Sequence, residues 1–142
     1  MKAREPLTAL ALDLGIEISG AWTRGDSTSR LPGNAHLRVP GCDGDSMLYL
    51  LDAAGVAVST GSACQAGIPQ PSHVVLAMGR SEEEARGSLR VSFGWTSTEA
   101  DVDAVVAAIG PAVDRARRHA AGHLRRQRGV AQRGQCGHAA AQ

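Results

Sequence analysis

Residues 88–94, SLRVSFG, alternate apolar and polar side chains more cleanly than any other part of this 142-residue chain. Successive side chains of a strand point to opposite faces of a sheet, so Leu89, Val91 and Phe93 share one face. Arg90 lies on the other face. A strand with a single apolar face must be covered on that face by another layer of structure.

The rest of the chain supplies that layer as helices. Aromatic residues are only 3% of the chain, so the core must be built from Leu, Val, Ile and Ala. Gly110 and Pro111 are expected to bend the last helix, because proline removes an internal hydrogen bond. Apolar spacing and capping residues predict helices over residues 7–14, 45–55, 72–79, 81–85 and 96–118, and strands over 35–39 and 56–58. Asp45 is the candidate N-cap of the second helix, and Ser81 with Glu84 has the capping-box pattern at the fourth. The predicted fold is a small α/β sandwich in which helices cover one face of a short sheet.

The chain length suits one domain, flanked by two segments of different character. Residues 1–29 read as an N-terminal helix and linker, and residues 30–118 as the domain. Residues 119–142 contain mainly Ala, Gly, Gln and Arg, and such a tail buries too little apolar surface to offset the entropy of ordering it. We therefore predict that this tail is disordered. Its arginine-rich run could contact an acidic partner, but a solvated tail is the interpretation we retain.

Composition argues against several classes of function. Lys and Arg number 15 against 14 Asp and Glu, which gives no general reason to expect a nucleic-acid or membrane partner. Acidic residues interrupt the N-terminal apolar run, so no signal peptide is expected. The three cysteines, Cys42, Cys64 and Cys136, are odd in number and widely spaced, which argues against a disulfide framework or a metal site. We expect a cytoplasmic protein.

Cys64 is the first candidate for chemistry. It lies in residues 59–67, STGSACQAG, where five small residues precede it and two follow soon after. A thiolate must be accessible to act as a nucleophile, and small neighbours favour accessibility. The alternative is a small buried apolar residue, the common fate of a free cysteine.

Arg90 is the second candidate, because a guanidinium on the polar face of a strand can bind a carboxylate through two parallel hydrogen bonds. The alternative is a solvated sheet face or a surface ion pair. His73 could exchange protons with a thiol, but more often such a residue caps or packs a helix start. His36 and Arg38 read most simply as solvated residues, and Cys42 and Cys136 receive no role.

The order of several segments resembles the C-terminal part of cysteine desulfurases. The resemblance covers residues 30–118 without a gap. The matching segments are RLPGNAHLRVPGCDGDSMLYLLDAAGVAVSTGSAC, PSHVVLAMG, GSLRVSFG and TSTEADVDAVV.

This resemblance implies the small C-terminal domain of a fold-type I pyridoxal-phosphate transferase, similar to aspartate aminotransferase. Cys64 then matches the mobile-loop cysteine that takes sulfur from L-cysteine as a persulfide, leaving alanine, and Arg90 matches the arginine that binds the substrate carboxylate. The implied partners are L-cysteine and a sulfur acceptor or iron–sulfur scaffold protein, together with a second copy or a companion chain.

One departure from the family pattern concerns the cofactor. The family holds pyridoxal phosphate on a lysine of a large domain, whereas Lys2 is the only lysine here and lies outside the matched region. We therefore expect no cofactor-binding residue in this chain and no turnover by the chain alone. Two alternatives stay open: the small domain of another pyridoxal-phosphate aminotransferase or lyase, or a non-catalytic sulfur carrier or interaction module.

Overall fold

A computed structural model describes residues 4–20, 31, 33–60 and 70–136 of the chain. The described elements are α1 (Arg4–Asp13), β1 (Glu17–Ile18), β2 (Asn34–Arg38), α2 (Gly44–Asp52), α3 (His73–Ala77), α4 (Glu82–Arg86), β3 (Ser88–Ser92) and α5 (Glu99–Cys136). The three strands form one antiparallel sheet in the order β1-β2-β3. None of the described helices is both long enough and apolar enough to cross a membrane.

One face of the sheet is apolar, as the alternation in β3 predicts. Leu37 of β2 lies opposite Leu89 of β3, and Ile18 of β1 lies opposite Leu37 on its other side. Val91 is buried, while Arg90 between it and Leu89 is exposed. The prediction that Leu89 and Val91 face the core and that Arg90 faces away from it is therefore confirmed.

Helices α1, α2 and α5 supply the core that meets this face. The buried side chains of α5 recur at helical spacing, with Val105, Ile109 and Val113 on one side. Each fully buried Leu, Ile, Val or Met contributes about 1.5–3 kcal/mol relative to an exposed one. The helices also contribute Leu7 and Ala11 from α1 and Met47 and Leu51 from α2. Among the described residues the fully buried apolar side chains are not aromatic, as the composition predicts.

The predicted strand over residues 56–58 is wrong. In the structure only Ser59 forms a bridge, and its partner is Arg90 on the outer edge of β3. Val56 turns into the core and Ala57 is exposed, so the local alternation is real. A strand requires hydrogen-bonded pairing with a neighbour over several residues, and here the chain meets β3 at one position only.

The last helix also differs from the prediction. α5 continues through Pro111 and past Arg118, where the sequence predicts a disordered tail, and ends at Cys136. Residues 119–136 contain ten Ala, Arg and Gln residues, which favour a helix, against three glycines, which disfavour one. The division of the chain into three domains stays a prediction.

Gly44, the first residue of α2, lies against the backbone that joins α4 to β3. A Cβ atom on Gly44 would lie 2.7 Å from the carbonyl oxygen of Arg86 and 2.9 Å from that of Ser88. We predict that Gly44→Ala lowers the free energy of unfolding by about 2 kcal/mol, because backbone atoms must move to admit the methyl group. Urea denaturation monitored by circular dichroism measures the change.

Gly94→Ala is the matched control for this substitution. A Cβ atom on Gly94 would meet nothing within 4 Å, so its replacement should change stability by less than about 0.5 kcal/mol. Equal stability of the Gly44→Ala variant and the parent chain would contradict the tight approach of α2 to β3.

Candidate functional site

The backbone of Arg90 is held from both sides. Its N–H donates to the carbonyl oxygen of Ser59 at 2.6 Å, and its carbonyl oxygen accepts from the Ser59 N–H at 3.1 Å. On the opposite side, β3 pairs with β2. The backbone of Arg90 therefore bonds to Ser59, and the strand that contains it pairs with β2 on the other side. Its side chain remains exposed.

His36 lies directly across from Arg90 on β2. The polar backbone groups of Arg90 face Ser59, and the carbonyl oxygen of His36 faces away, accepting from the Ser19 N–H at 2.9 Å. The two residues therefore form a non-hydrogen-bonded pair, in which Cα atoms are about 4.5 Å apart and the side chains are close. Arg90 and the half-buried His36 are adjacent on the face of the sheet opposite the core.

The face of the sheet opposite the core, which we call the polar face, is covered near Arg38. Arg38 is only 5% exposed, and its guanidinium forms ion pairs with Glu17 of β1 at 2.5 Å and Glu84 of α4 at 3.1 Å. The interpretation of Arg38 as a solvated residue is therefore wrong, because α4 and β1 both place acids over it. The open part of this face is the part that carries Arg90.

Glu84 is fixed by a helix cap as well as by Arg38. The backbone N–H and the hydroxyl of Ser81 both donate to its carboxylate, forming the capping box that the sequence predicts for α4. These hydrogen bonds, with the nearby Arg80 and Arg38, hold the pKa of Glu84 below its ordinary value. Its contribution to stability is therefore present above the ordinary pKa and is lost as the pH falls through the lowered one.

Cys64 lies in residues 61–69, outside the described residues, but both ends of that segment are described. Thr60 follows Ser59, and Gln70 leads into α3, where Val75 is buried. Cys64 is five residues from Ser59. The residue that pairs with Arg90 therefore lies just before the segment that contains Cys64.

The other sequence candidates fall outside this arrangement. Cys42 is buried with its sulfur 4.0 Å from the carbonyl oxygen of Val113, and burial raises the pKa of its thiol, although Arg117 acts in the opposite direction. A buried thiol with a raised pKa is a poor nucleophile. His73 is exposed at the first position of α3, and Cys136 is the last residue of α5. Within the described ranges, no three His, Cys, Asp or Glu residues are grouped as metal ligands would be.

Comparison with known proteins identifies the family. The sequence profile of the aminotransferase class-V family matches residues 3–105. The chain belongs to this family. Among curated members, an IscS-like cysteine desulfurase of Mycobacterium tuberculosis is 59% identical over 95 residues, which are 67% of this chain and 24% of that protein. Cysteine desulfurase IscS 1 of Archaeoglobus fulgidus is 37% identical over 106 residues, 75% of this chain and 28% of that protein.

Two solved structures of NifS-like proteins share the fold. A NifS-like protein from Rickettsia africae superposes with a TM-score of 0.57 and 26% identity, covering 80% of this chain and 28% of that one. A second NifS-like protein gives a TM-score of 0.61 at the same identity, covering 80% of this chain and 26% of that one. The fold is therefore that of part of a NifS-like protein, and this chain spans about a quarter of the length of the relatives it matches.

The class-V family implies pyridoxal phosphate, and the residues of this chain do not fit it. A covalent link to that cofactor requires a lysine amine. No lysine follows Lys2 in the sequence, and the described residues contain none. Among the described residues, the candidate site therefore consists of Arg90 and His36, with no group that could hold the cofactor covalently. The assignment of Cys64 to this site stays a prediction.

Proposed function

We propose that this chain supplies the sulfur-accepting thiol and the substrate-carboxylate site of a cysteine desulfurase. Cys64 takes the sulfur of L-cysteine, and Arg90 binds the carboxylate of that substrate. The observation that carries the proposal is the backbone pairing of Ser59 with Arg90. It joins the base of the cysteine-bearing segment to the strand that bears the arginine.

The environment of Arg90 suits carboxylate recognition. Its side chain is exposed on the open part of the polar face, and its backbone is fixed by Ser59 on one side and β2 on the other. A planar guanidinium offers two parallel N–H donors to a carboxylate, and a fixed backbone reduces the entropy lost on binding. His36 lies beside it on the same face of the sheet.

Cys64 acts as a nucleophile toward the substrate sulfur. A sulfur–sulfur bond forms while the carbon–sulfur bond of L-cysteine breaks. The electron pair of the broken bond stays with carbon, which takes up the proton that the thiol gives up. L-cysteine and the thiol thereby become L-alanine and a Cys64 persulfide, with no external oxidant. Small neighbours around Cys64 leave the persulfide free to reach an acceptor, such as an iron–sulfur scaffold protein.

Pyridoxal phosphate enters this proposal as a group held by residues outside this sequence. Members of the family that are named cysteine desulfurases are about four times as long as the segment they share with this chain. The lysine-bearing part belongs to a companion chain or to a larger polypeptide. We propose that this chain alone does not turn over L-cysteine, and that it works in the cytoplasm.

A chimera tests the proposed function. The 95 matched residues of the Mycobacterium tuberculosis relative are exchanged for those of this chain, and alanine release from L-cysteine is measured with the cofactor present. We expect turnover within about tenfold of the parent enzyme, since small repacking errors at the new boundary cost about 1 kcal/mol. A chimera that folds and retains the cofactor's absorbance but releases no alanine would contradict the proposal.

A further inference from the structure

The charges of this chain are divided between two parts of the fold. Residues 1–114 contain all 14 acidic residues and eight of the 15 Lys and Arg residues, a net charge of −6 with His neutral. Residues 115–142 contain seven arginines and no acid, a net charge of +7. The near-neutral total charge by itself gives no reason to expect a polyanionic partner. It is the sum of an acidic part, residues 1–114, which we call the body, and a basic segment, residues 115–142.

Residues 115–136 of the basic segment are helical. Ala116 is the last residue of α5 that the structure describes as buried, and α5 continues to Cys136. At 1.5 Å per residue, residues 117–136 add about 30 Å of helix. We call these residues the basic extension. Arg117, at its start, still contacts the body, because its guanidinium donates to the carbonyl oxygen of Leu14 at 3.1 Å.

In the sequence, no acid lies close enough to pair within the helix with the arginines from Arg125 onward. In α4, Arg86 forms an ion pair with Glu82 one turn away. From Arg125 onward, the nearest preceding acid is Asp114, eleven residues back in the sequence. Pairing within a helix reaches only three or four residues. The charge of the basic extension therefore favours an external anion.

The composition of the basic extension favours phosphate over other anionic surfaces. Leu124 and Val130 are the large apolar residues after Val113, and aromatic residues are absent from this part of the sequence. Protein interfaces rely on buried aromatic and apolar anchors, and membrane-surface helices on a broad apolar face. All the cations here are arginine, whose planar fork matches phosphate oxygens.

We infer that the basic extension binds the phosphate backbone of double-stranded DNA without reading its sequence. Its length of about 30 Å is close to one turn of B-form duplex, about 34 Å. The major groove of B-form DNA admits an α-helix, whereas the groove of A-form RNA is too narrow. A duplex carries one negative charge per about 1.7 Å, which complements the charge of the six arginines in the basic extension.

The test uses the full chain and a fluorescein-labelled 20-base-pair DNA duplex of arbitrary sequence. Fluorescence anisotropy at 25–200 mM NaCl should give micromolar Kd values at the low-salt end. The slope of log K against log salt should be about −4 to −5, as expected for about five phosphate contacts. Arg125→Gln with Arg126→Gln should weaken binding and make the slope less negative by about 2, with an unchanged circular dichroism spectrum.

Arg80→Gln with Arg86→Gln is the matched control, because it removes the same charge from the body. This control should bind DNA like the parent chain, and equal weakening by both pairs would overturn the inference. Three competitors test the choice of partner at the same salt: an RNA duplex of the same sequence, polyglutamate, and phosphatidylglycerol vesicles. Binding to any of them as tight as to DNA would overturn the assignment to DNA, as would absence of DNA binding at 25 mM NaCl.

Discussion

Cys64→Ala in the chimera is expected to abolish the release of alanine from L-cysteine. The thiol is the group to which the substrate sulfur is transferred, and removal of a covalent nucleophile lowers kcat by roughly 1,000-fold or more. Coupled assay of alanine measures the rate. Mass spectrometry of the same protein should show the loss of the additional sulfur atom that the parent chimera carries at Cys64.

Cys42→Ala is the control for this prediction. The Cys42 thiol is buried beside Val113 and its pKa is raised, so its removal should leave turnover unchanged.

Arg90→Gln should instead raise KM for L-cysteine, because one charged partner of the carboxylate is lost. If Arg90→Gln lost activity while Cys64→Ala kept it, the site would be that of another aminotransferase or lyase, and the desulfurase proposal would be wrong.

Removal of both acids that pair with Arg38 is expected to have the largest effect on stability. Arg38 is nearly fully buried, and Glu17 and Glu84 are its ion-pair partners. In Glu17→Gln with Glu84→Gln, the guanidinium charge stays buried without a counter-charge, which is strongly unfavourable. We expect Tm to fall by roughly 10 °C, as measured by differential scanning calorimetry at neutral pH.

Two further variants separate this effect from a general loss of acidic residues. Glu82→Gln with Glu83→Gln makes the same change at two exposed positions of α4 and should shift Tm by only a few degrees. Arg38→Met removes the buried charge itself and should cost less than the double acid variant. If Glu17→Gln with Glu84→Gln had the same Tm as the Glu82 and Glu83 control, the ion pairs of Arg38 would contribute nothing to stability.

Local sequence patterns predicted much of the fold. The alternation in β3 identified its buried face, and Ser81 with Glu84 predicted the capping box of α4. The N-cap of α2 is two residues earlier than predicted, because Asp43 rather than Asp45 accepts the hydrogen bond from the Ser46 N–H. Such features depend on residues within one or two turns of each other, and short-range chemistry determines them.

The features that sequence analysis missed depend on distant residues. Arg38 meets acids 21 and 46 positions away, and no local pattern distinguishes it from a solvated arginine. The bridge between Ser59 and Arg90 likewise depends on where two separate segments meet. The sequence predicted Arg90 on the polar face of its strand, and the structure added the neighbours that fix it there. The role of Cys64 stays a prediction.

Because Ser59 is attached to β3 through one residue pair, evolution can change the length of the segment after Thr60 without changing the position of Arg90. Insertions or deletions after Thr60 alter the length of the segment that follows, at a free-energy cost that grows slowly with that length. A residue inserted before Ser59 would instead shift the pairing and turn the following side chains to the opposite face. Under the proposed function, relatives can therefore differ in the sulfur acceptor that they serve while the carboxylate site on β3 stays the same.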